Sequence, residues 1–224
     1  LEFIIAGLGK HPNQFIKENK QEEYVNGITK AIETVAKVIT PRPIIVRFSD
    51  FKTNEYKDLK GGEEFEEHED NPMIGWRGVS RYISEDFKEA FRLECEAIKK
   101  VRESYKNVHV MLPFVRNTEE VKNVLEVMKE KDLEASDNFK IWIMAEVPSL
   151  ALITEDFASI KEISGASIGS NDLAMLCLGV DRDSEKLGKM GYFDERNKAV
   201  LTAMKQIIEG FKKKRAELFK EIYT

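Results

Sequence analysis

Short runs of β-branched and other apolar residues alternate along this chain with longer stretches whose apolar positions recur at helical spacing, the rhythm of parallel strands joined by helical crossovers. The strand candidates are Leu1 to Ala6, Pro43 to Phe48, Val108 to Val115, Lys140 to Val147 and Gly165 to Gly169. Between them, Tyr24, Ile28, Ala31, Ile32 and Val35 form one helical face, and Phe87, Ala90, Phe91, Ile98 and Val101 another. Val121, Val124, Leu125 and Met128 form a third, and Asn117 with Glu120 three residues later has the spacing of its N-terminal cap. A fourth helix runs from Ala199 through Val200, Ala203, Met204, Ile207, Ile208 and Phe211, with a tail from Lys212 that keeps the interval at Leu218 and Ile222. The rhythm breaks once. Asp50 to Ser80 reads as a long polar loop directly after the second strand, and such loops inside compact domains are usually functional.

Composition narrows the class. The chain has 224 residues, 42% of them hydrophobic, which suits one domain with a substantial core. A formal charge of −5 spread along the chain favours neither nucleic acid nor a membrane surface. No apolar run approaches the roughly 18 residues of a membrane span, and the start has no basic leader segment. The two cysteines, Cys95 and Cys177, form no Cys-x-x-Cys pair and no histidine cluster. A soluble, reducing, cytoplasmic setting is expected, and the missing initiator methionine points to either a trimmed chain or one domain of a longer polypeptide.

The chemistry gathers where apolar strands end, the reactive face of parallel α/β barrels. Ile44-Ile45-Val46 runs into Arg47, whose planar fork can clamp a carboxylate or phosphate. Ile141-Trp142-Ile143-Met144 ends in Ala145-Glu146, a carboxylate that needs a partner or a metal. Ala166-Ser167-Ile168 opens into Gly169-Ser170-Asn171-Asp172, where small residues admit an anion to the backbone and Asp172 offers an oxygen ligand. Glu146 and Asp172 together suit Mg2+, with substrate and water oxygens completing the shell. Arg77, between glycines in the long loop, and Arg182 add positive charge. Each residue alone also has a structural reading, as a salt-bridge partner or a helix cap.

Other residues carry less. Glu63, Glu64, Glu66, Glu67, Glu69 and Asp70 read first as a solvated acidic loop and second as a cation or partner site. Trp76 reads as a packing residue, Cys95 as a small core residue, and Cys177 as a thiol without a neighbouring base. His11, His68 and His109 have no ligand pattern around them.

Taken in order, Val46-Arg47-Phe48-Ser49-Asp50-Phe51-Lys52-Thr53-Asn54-Glu55-Tyr56, Asn71-Pro72-Met73-Ile74-Gly75-Trp76-Arg77-Gly78, Met111-Leu112-Pro113-Phe114-Val115-Arg116, Met144-Ala145-Glu146-Val147-Pro148-Ser149, Ser167-Ile168-Gly169-Ser170-Asn171-Asp172-Leu173 and Leu178-Gly179-Val180-Asp181-Arg182 resemble successive blocks of the phosphoenolpyruvate/pyruvate-binding domain of phosphoenolpyruvate synthases (pyruvate, water dikinases). Related barrels occur in pyruvate phosphate dikinase and in enzyme I of the sugar phosphotransferase system, but the first block is similar to the synthases. The resemblance covers about Leu1 to Ala199. It implies an α/β fold, a TIM-type (β/α) barrel, here incomplete and lacking the first and last strands, since five strand candidates fall short of eight.

The resemblance also implies roles. Arg47, Arg77 and Arg182 would hold carboxylate and phosphoryl oxygens, Gly169, Ser170, Asn171 and Asp172 would line the substrate site, and Glu146 with Asp172 would bind Mg2+. The family transfers a phosphoryl group from a phosphohistidine to pyruvate enolate, using ATP, in gluconeogenesis. The ATP-binding and phosphohistidine domains would be partners outside this chain, and a homo-oligomer is expected. A Cys-Gly motif that handles the proton at the substrate methylene is absent, as is an arginine just before Leu1. The chain alone is therefore expected to be inactive. The alternatives are a truncated paralogue serving as a ligand-binding or oligomerisation module, and a magnesium-dependent lyase on pyruvate-like enolates.

Overall fold

The run Ile44-Ile45-Val46 is β-branched throughout, suits the pleated conformation, and forms β1 (Ile44–Arg47). Three further strands follow in chain order, β2 (Val108–Leu112), β3 (Ile141–Ala145) and β4 (Ile163–Ile168). All pair in parallel in the order β1-β2-β3-β4, with Val46 opposite Val110, Val110 opposite Ile141, and a register shift beside Ile141 where β3 meets β4. A sheet whose neighbours are consecutive in sequence, each pair joined by a helical crossover, is a run of adjacent barrel staves, and the molecule is an incomplete (β/α) barrel. The computed structural model describes the backbone of residues 1–222 and the side chains through residue 214.

Helices cover one face of the sheet. Before β1 come α1 (Glu2–Leu8), α2 (Pro12–Lys17) and α3 (Gln21–Ile39); between β1 and β2 lie α4 (Thr53–Lys57), α5 (Val79–Tyr82) and α6 (Lys88–Ser104). Next, α7 (Thr118–Lys129) precedes β3, and α8 (Pro148–Leu152) and α9 (Thr154–Ala158) precede β4. After β4 follow α10 (Ser170–Leu178), α11 (Glu185–Lys189) and α12 (Lys198–Ile222). α3 packs on α6, and α12 lies across α8, α9 and α10 and reaches β4. The core is continuous from Ile5 and Ile28 through Phe48, Phe91, Val110 and Ile143 to Leu173 and Ile207. On β1, at the sheet edge, Ile45 stays 41% exposed. Among the described residues no helix is long and apolar enough to cross a membrane.

Several expectations change. Leu1 to Ala6 is not a strand: it belongs to α1, which closes on Gly9 at φ 68°, because Leu1, Ile4, Ile5 and Leu8 fall on one helical face and only Ile5 is fully buried. The sheet therefore has four strands rather than five. The α3 face is rotated from the expected one: Val25 and Ala36 are buried with Tyr24, Ile28 and Ile32, and Val35 is exposed. Asp50 to Ser80 is not a plain loop, since it folds into α4, two 3-10 turns at Gly62–Glu64 and Pro72–Ile74, and the start of α5. The α7 cap forms as its spacing predicts, with the Glu120 N–H donating to Asn117 Oδ1 at 2.8 Å. The tail from Lys212 continues α12, while the Leu218 and Ile222 side chains lie outside the described residues.

Candidate functional site

Parallel strands deliver their last residues to one edge of the sheet, and the polar groups meet there. Side chains alternate across a strand, so Arg47 shares the face of Ile45 and reaches the sulfur of Met144 on β3 at 3.7 Å. Glu146 follows β3 directly, Gly169 follows β4, and Asp172 lies in the first turn of α10. Arg77 arrives from the excursion between β1 and α6. A cleft of about 430 Å³ opens there, bordered by Glu2, Arg47, Asp50, Lys52, Arg77, Asp172 and Arg182, with Glu146 behind Asp50 and Asp172.

Arg77 sits at its floor, only 3% exposed. Its Nε and Nη2 donate to the two oxygens of Asp50 at 3.1 and 2.7 Å, Nη2 also donates to Asp172 Oδ2 at 3.1 Å, and Nη1 to the Met73 carbonyl at 2.9 Å. The Phe114 ring lies 4.0 Å beneath the guanidinium, so the cation is held from its edge and from its face. Burial opposes its charge, but Asp50 and Asp172 more than offset that and hold it firmly protonated. Arg77 therefore neutralises buried carboxylates. The open cationic groups are Arg47 and Arg182, whose side chains are 40% and 29% exposed. Arg47 Nη2 rests on Glu2 at 2.7 Å, and Arg182 Nη1 stands 2.9 Å from Asp172 Oδ1.

Asp50, Glu146 and Asp172 are all buried, and each offers an oxygen within 4.8 Å of the others. Glu146 accepts the Phe114 N–H at 2.6 Å, a bond that Phe114 supplies from the left-handed region at φ 51°. Burial, with Asp50 and Asp172 close by, pushes the Glu146 carboxyl up to about 8. Burial likewise raises Asp50, against the pull of Arg77. Asp172 Oδ1 is buried and accepts no directed hydrogen bond, despite the nearby Arg182. Three carboxylates with too few donors, one of them driven towards its neutral form, fit a hard divalent cation with oxygen preference.

Of the residues expected from sequence, the fold brings Arg47, Arg77, Glu146, Asp172 and Arg182 together, with Gly169 beside Glu146, and Ser170 and the exposed Asn171 on the first turn of α10. Sequence reasoning missed Asp50 as a member of the carboxylate cluster and Glu2 as the partner of Arg47. Asp50 follows Arg47 by three positions at the same strand end, which is the signal that could have found it.

The acidic run divides. Glu63, Glu64, Glu67 and Asp70 are exposed, as a solvated loop should be. Glu66 is buried, accepting both Arg81 Nη groups at 2.7 Å and facing His11 Nε2 at 3.0 Å, because Arg81 itself is fully buried between aromatic rings. Trp76 packs as expected, its ring 4.0 Å from the Arg81 guanidinium. His11 caps α2 through Nδ1, and burial lowers its pKa, keeping it neutral. Cys95 is buried and its thiol raised by burial, and Cys177 borders a different hollow, beside α8 and α12.

Comparison with known proteins agrees with this arrangement. Residues 5–219 match the family described as PEP-utilising enzyme, PEP-binding domain. The chain is 54% identical to a probable phosphoenolpyruvate synthase of Staphylothermus marinus and 54% identical to a phosphoenolpyruvate synthase of Aeropyrum pernix, with 93% of this chain covered in each case. It is 41% identical to the phosphoenolpyruvate synthase of Escherichia coli over 95% of its length. The matches take in 25%, 26% and 29% of those relatives, so the chain spans about a quarter of their length. By its strand-end blocks, its partial barrel and this match over nearly its whole length, the chain belongs to the PEP-binding domain family of PEP-utilising enzymes.

Proposed function

We propose that this chain is the phosphoenolpyruvate/pyruvate-binding domain of a phosphoenolpyruvate synthase, a phosphotransferase in which a phosphohistidine supplies the phosphoryl group to pyruvate enolate. The single observation that carries the reading is that the buried carboxylates Asp50, Glu146 and Asp172 cluster where the part-exposed Arg47 and Arg182 border one cleft. Residues 1–224 act as one domain, with the ATP-binding and phosphohistidine domains as its partners and further copies of the enzyme as oligomer mates.

Glu146 and Asp172 hold Mg2+, with Asp50 at hand as a third carboxylate. When bound, the ion supplies electrophilic stabilisation to the enolate oxygen. Arg47 and Arg182, open to the cleft, receive the carboxylate and phosphoryl oxygens, where fixed positive charge stabilises a transferring phosphoryl group. Arg77 serves as the internal counter-ion of Asp50 and Asp172 at the floor of the cleft, and its Nη2 would face the substrate anion if a bound cation took over that charge. The N-terminal turn of α10 brings Asp172 to the cleft, and Gly169, Ser170 and Asn171 just before it would line the substrate site.

A second reading, binding without turnover by this chain alone, draws on the cysteines: neither Cys95 nor Cys177 borders the cleft, so the residues here offer no thiol to protonate a methylene carbon. Calorimetric titration with phosphoenolpyruvate, or with the enolate mimic oxalate, tests both. Magnesium-dependent binding that is lost in Glu146→Gln supports the site. A folded protein that binds neither ligand with magnesium present overturns it.

A further inference from the structure

Beneath the end of β1, outside the cleft, lies a carboxylate that the proposed chemistry does not use. Glu94 on α6 is fully buried, and both its oxygens are directed at a single residue. Its Oε2 accepts the Ser49 N–H at 3.2 Å and its Oε1 accepts the Ser49 hydroxyl at 2.5 Å. The Tyr56 hydroxyl donates to Ser49 Oγ at 3.0 Å, and the Tyr82 hydroxyl donates to the Ser49 carbonyl. Every polar atom of Ser49 is thus tied into the core. Ser49 is the residue before Asp50 and the second after Arg47, so its backbone sets where both project.

We infer that Glu94 is a positioning residue for the magnesium and anion site, acting through Ser49 to fix Asp50 in the carboxylate cluster and Arg47 at the cleft wall. The inference rests on the site reading above and extends it to a residue that touches neither ion nor substrate.

The surroundings are consistent with a positional role. A burial this complete is costly for a carboxylate unless it is hydrogen-bonded, and the carboxyl is raised by desolvation to about 7 while the two Ser49 bonds pull it down. Tyr24 from α3, Tyr56 from α4, Tyr82 from α5 and Glu2 from α1 face the group, with Cys95 beside it on α6. No lysine or arginine side chain hydrogen-bonds Glu94 among the described residues; beside the adjacent Tyr24 hydroxyl, its partner is Ser49, which takes up both carboxylate oxygens. A hydrophobic residue would fill the volume but would release the Ser49 N–H. Glutamine keeps the shape and has one acceptor oxygen for two donors.

The test compares wild type with Glu94→Gln in magnesium titration with oxalate present, alongside amide resonances assigned for Ser49, Asp50, Ile143 and Ala166. Loss of an outer partner of a metal site costs about tenfold or more in metal affinity. The expected result is a loss of that size, with the Ser49 and Asp50 amides displaced and those of Ile143 and Ala166 in place. A folded variant whose magnesium affinity stays within about twofold of wild type, or whose Asp50 amide does not move, overturns the inference. If Glu94→Gln does not fold, Ser49→Ala decides: removing one hydroxyl should weaken magnesium by about threefold and shift the Asp50 amide, and no change in either refutes the role. Should the wild type bind no magnesium, the site reading fails, and the Asp50 amide alone then judges the positioning.

Discussion

Gly169 and Glu146 share one space: a Cβ on Gly169 would lie 2.5 Å from Glu146 Oε2 and 2.8 Å from Glu146 Cβ. The glycine at the end of β4 is what lets the carboxylate at the end of β3 stand in the cluster. Gly169→Ala should move Glu146 and lower magnesium affinity by about tenfold or more, while the overpacking costs about 1–3 kcal/mol of stability. Calorimetry and a thermal melt on the same sample separate the two effects.

Arg77→Met should be among the most destabilising substitutions near the cleft. It leaves Asp50 buried without its bidentate partner and Asp172 with Arg182 alone, a loss of about 3–5 kcal/mol for a broken buried ion pair. Denaturant titration reads it as a lower midpoint at unchanged slope. Magnesium should raise the variant's melting temperature by more than it raises the wild type's, since the ion replaces the missing charge.

The metal-free protein should lose stability as pH rises. Folding raises Glu94 to about 7 and Glu146 to about 8 from the ordinary value of 4.5. A raised carboxyl favours the folded state fully below the unfolded value, and that contribution disappears as pH climbs through the folded values. The melting temperature should therefore be lower near pH 9 than near pH 6 by this linkage. Magnesium should reverse part of the loss, bind more tightly at the higher pH and release a proton on binding. A melting temperature independent of pH over that window contradicts the two raised carboxyls.

Arg47→Lys tests the exposed wall of the cleft. The side chain is 40% open and paired to Glu2, so little folding energy depends on it. Lysine keeps the charge and loses the planar fork. Oxalate affinity should fall by about ten- to a hundredfold, the loss of one charge-assisted hydrogen bond of roughly 1.5–3 kcal/mol, with the melting temperature nearly unchanged.

Four strands and the gathering of Arg47 and Glu146 at one strand edge were legible because a charge closing an apolar strand is costly, and both residues advertise that cost. Asp50 was not, since an aspartate after a serine reads as an ordinary turn. Glu66 was hidden among exposed acids: its partners Arg81 and His11 lie 15 and 55 positions away, and no local pattern links them. The misread first segment has a different cause. Six residues with a central apolar run satisfy a strand and a helix equally, and the decision came from packing of Ile5 against the core.

The hydrogen bond from Arg77 to Asp172 spans 95 positions of chain, and Glu146 meets Phe114 across 32. No single hairpin or helix pair contains the site. A ligand or ion of the proposed kind would therefore gain its binding energy only from molecules in which β1 through β4 are all in place, and a partly opened chain has nothing to offer it. By mass action, ligand at a hundred times its dissociation constant adds about 2.7 kcal/mol to that complete state. Occupancy of the cleft by the proposed ligand would thus report on the integrity of the whole sheet, and ligand concentration would set part of the fold's stability.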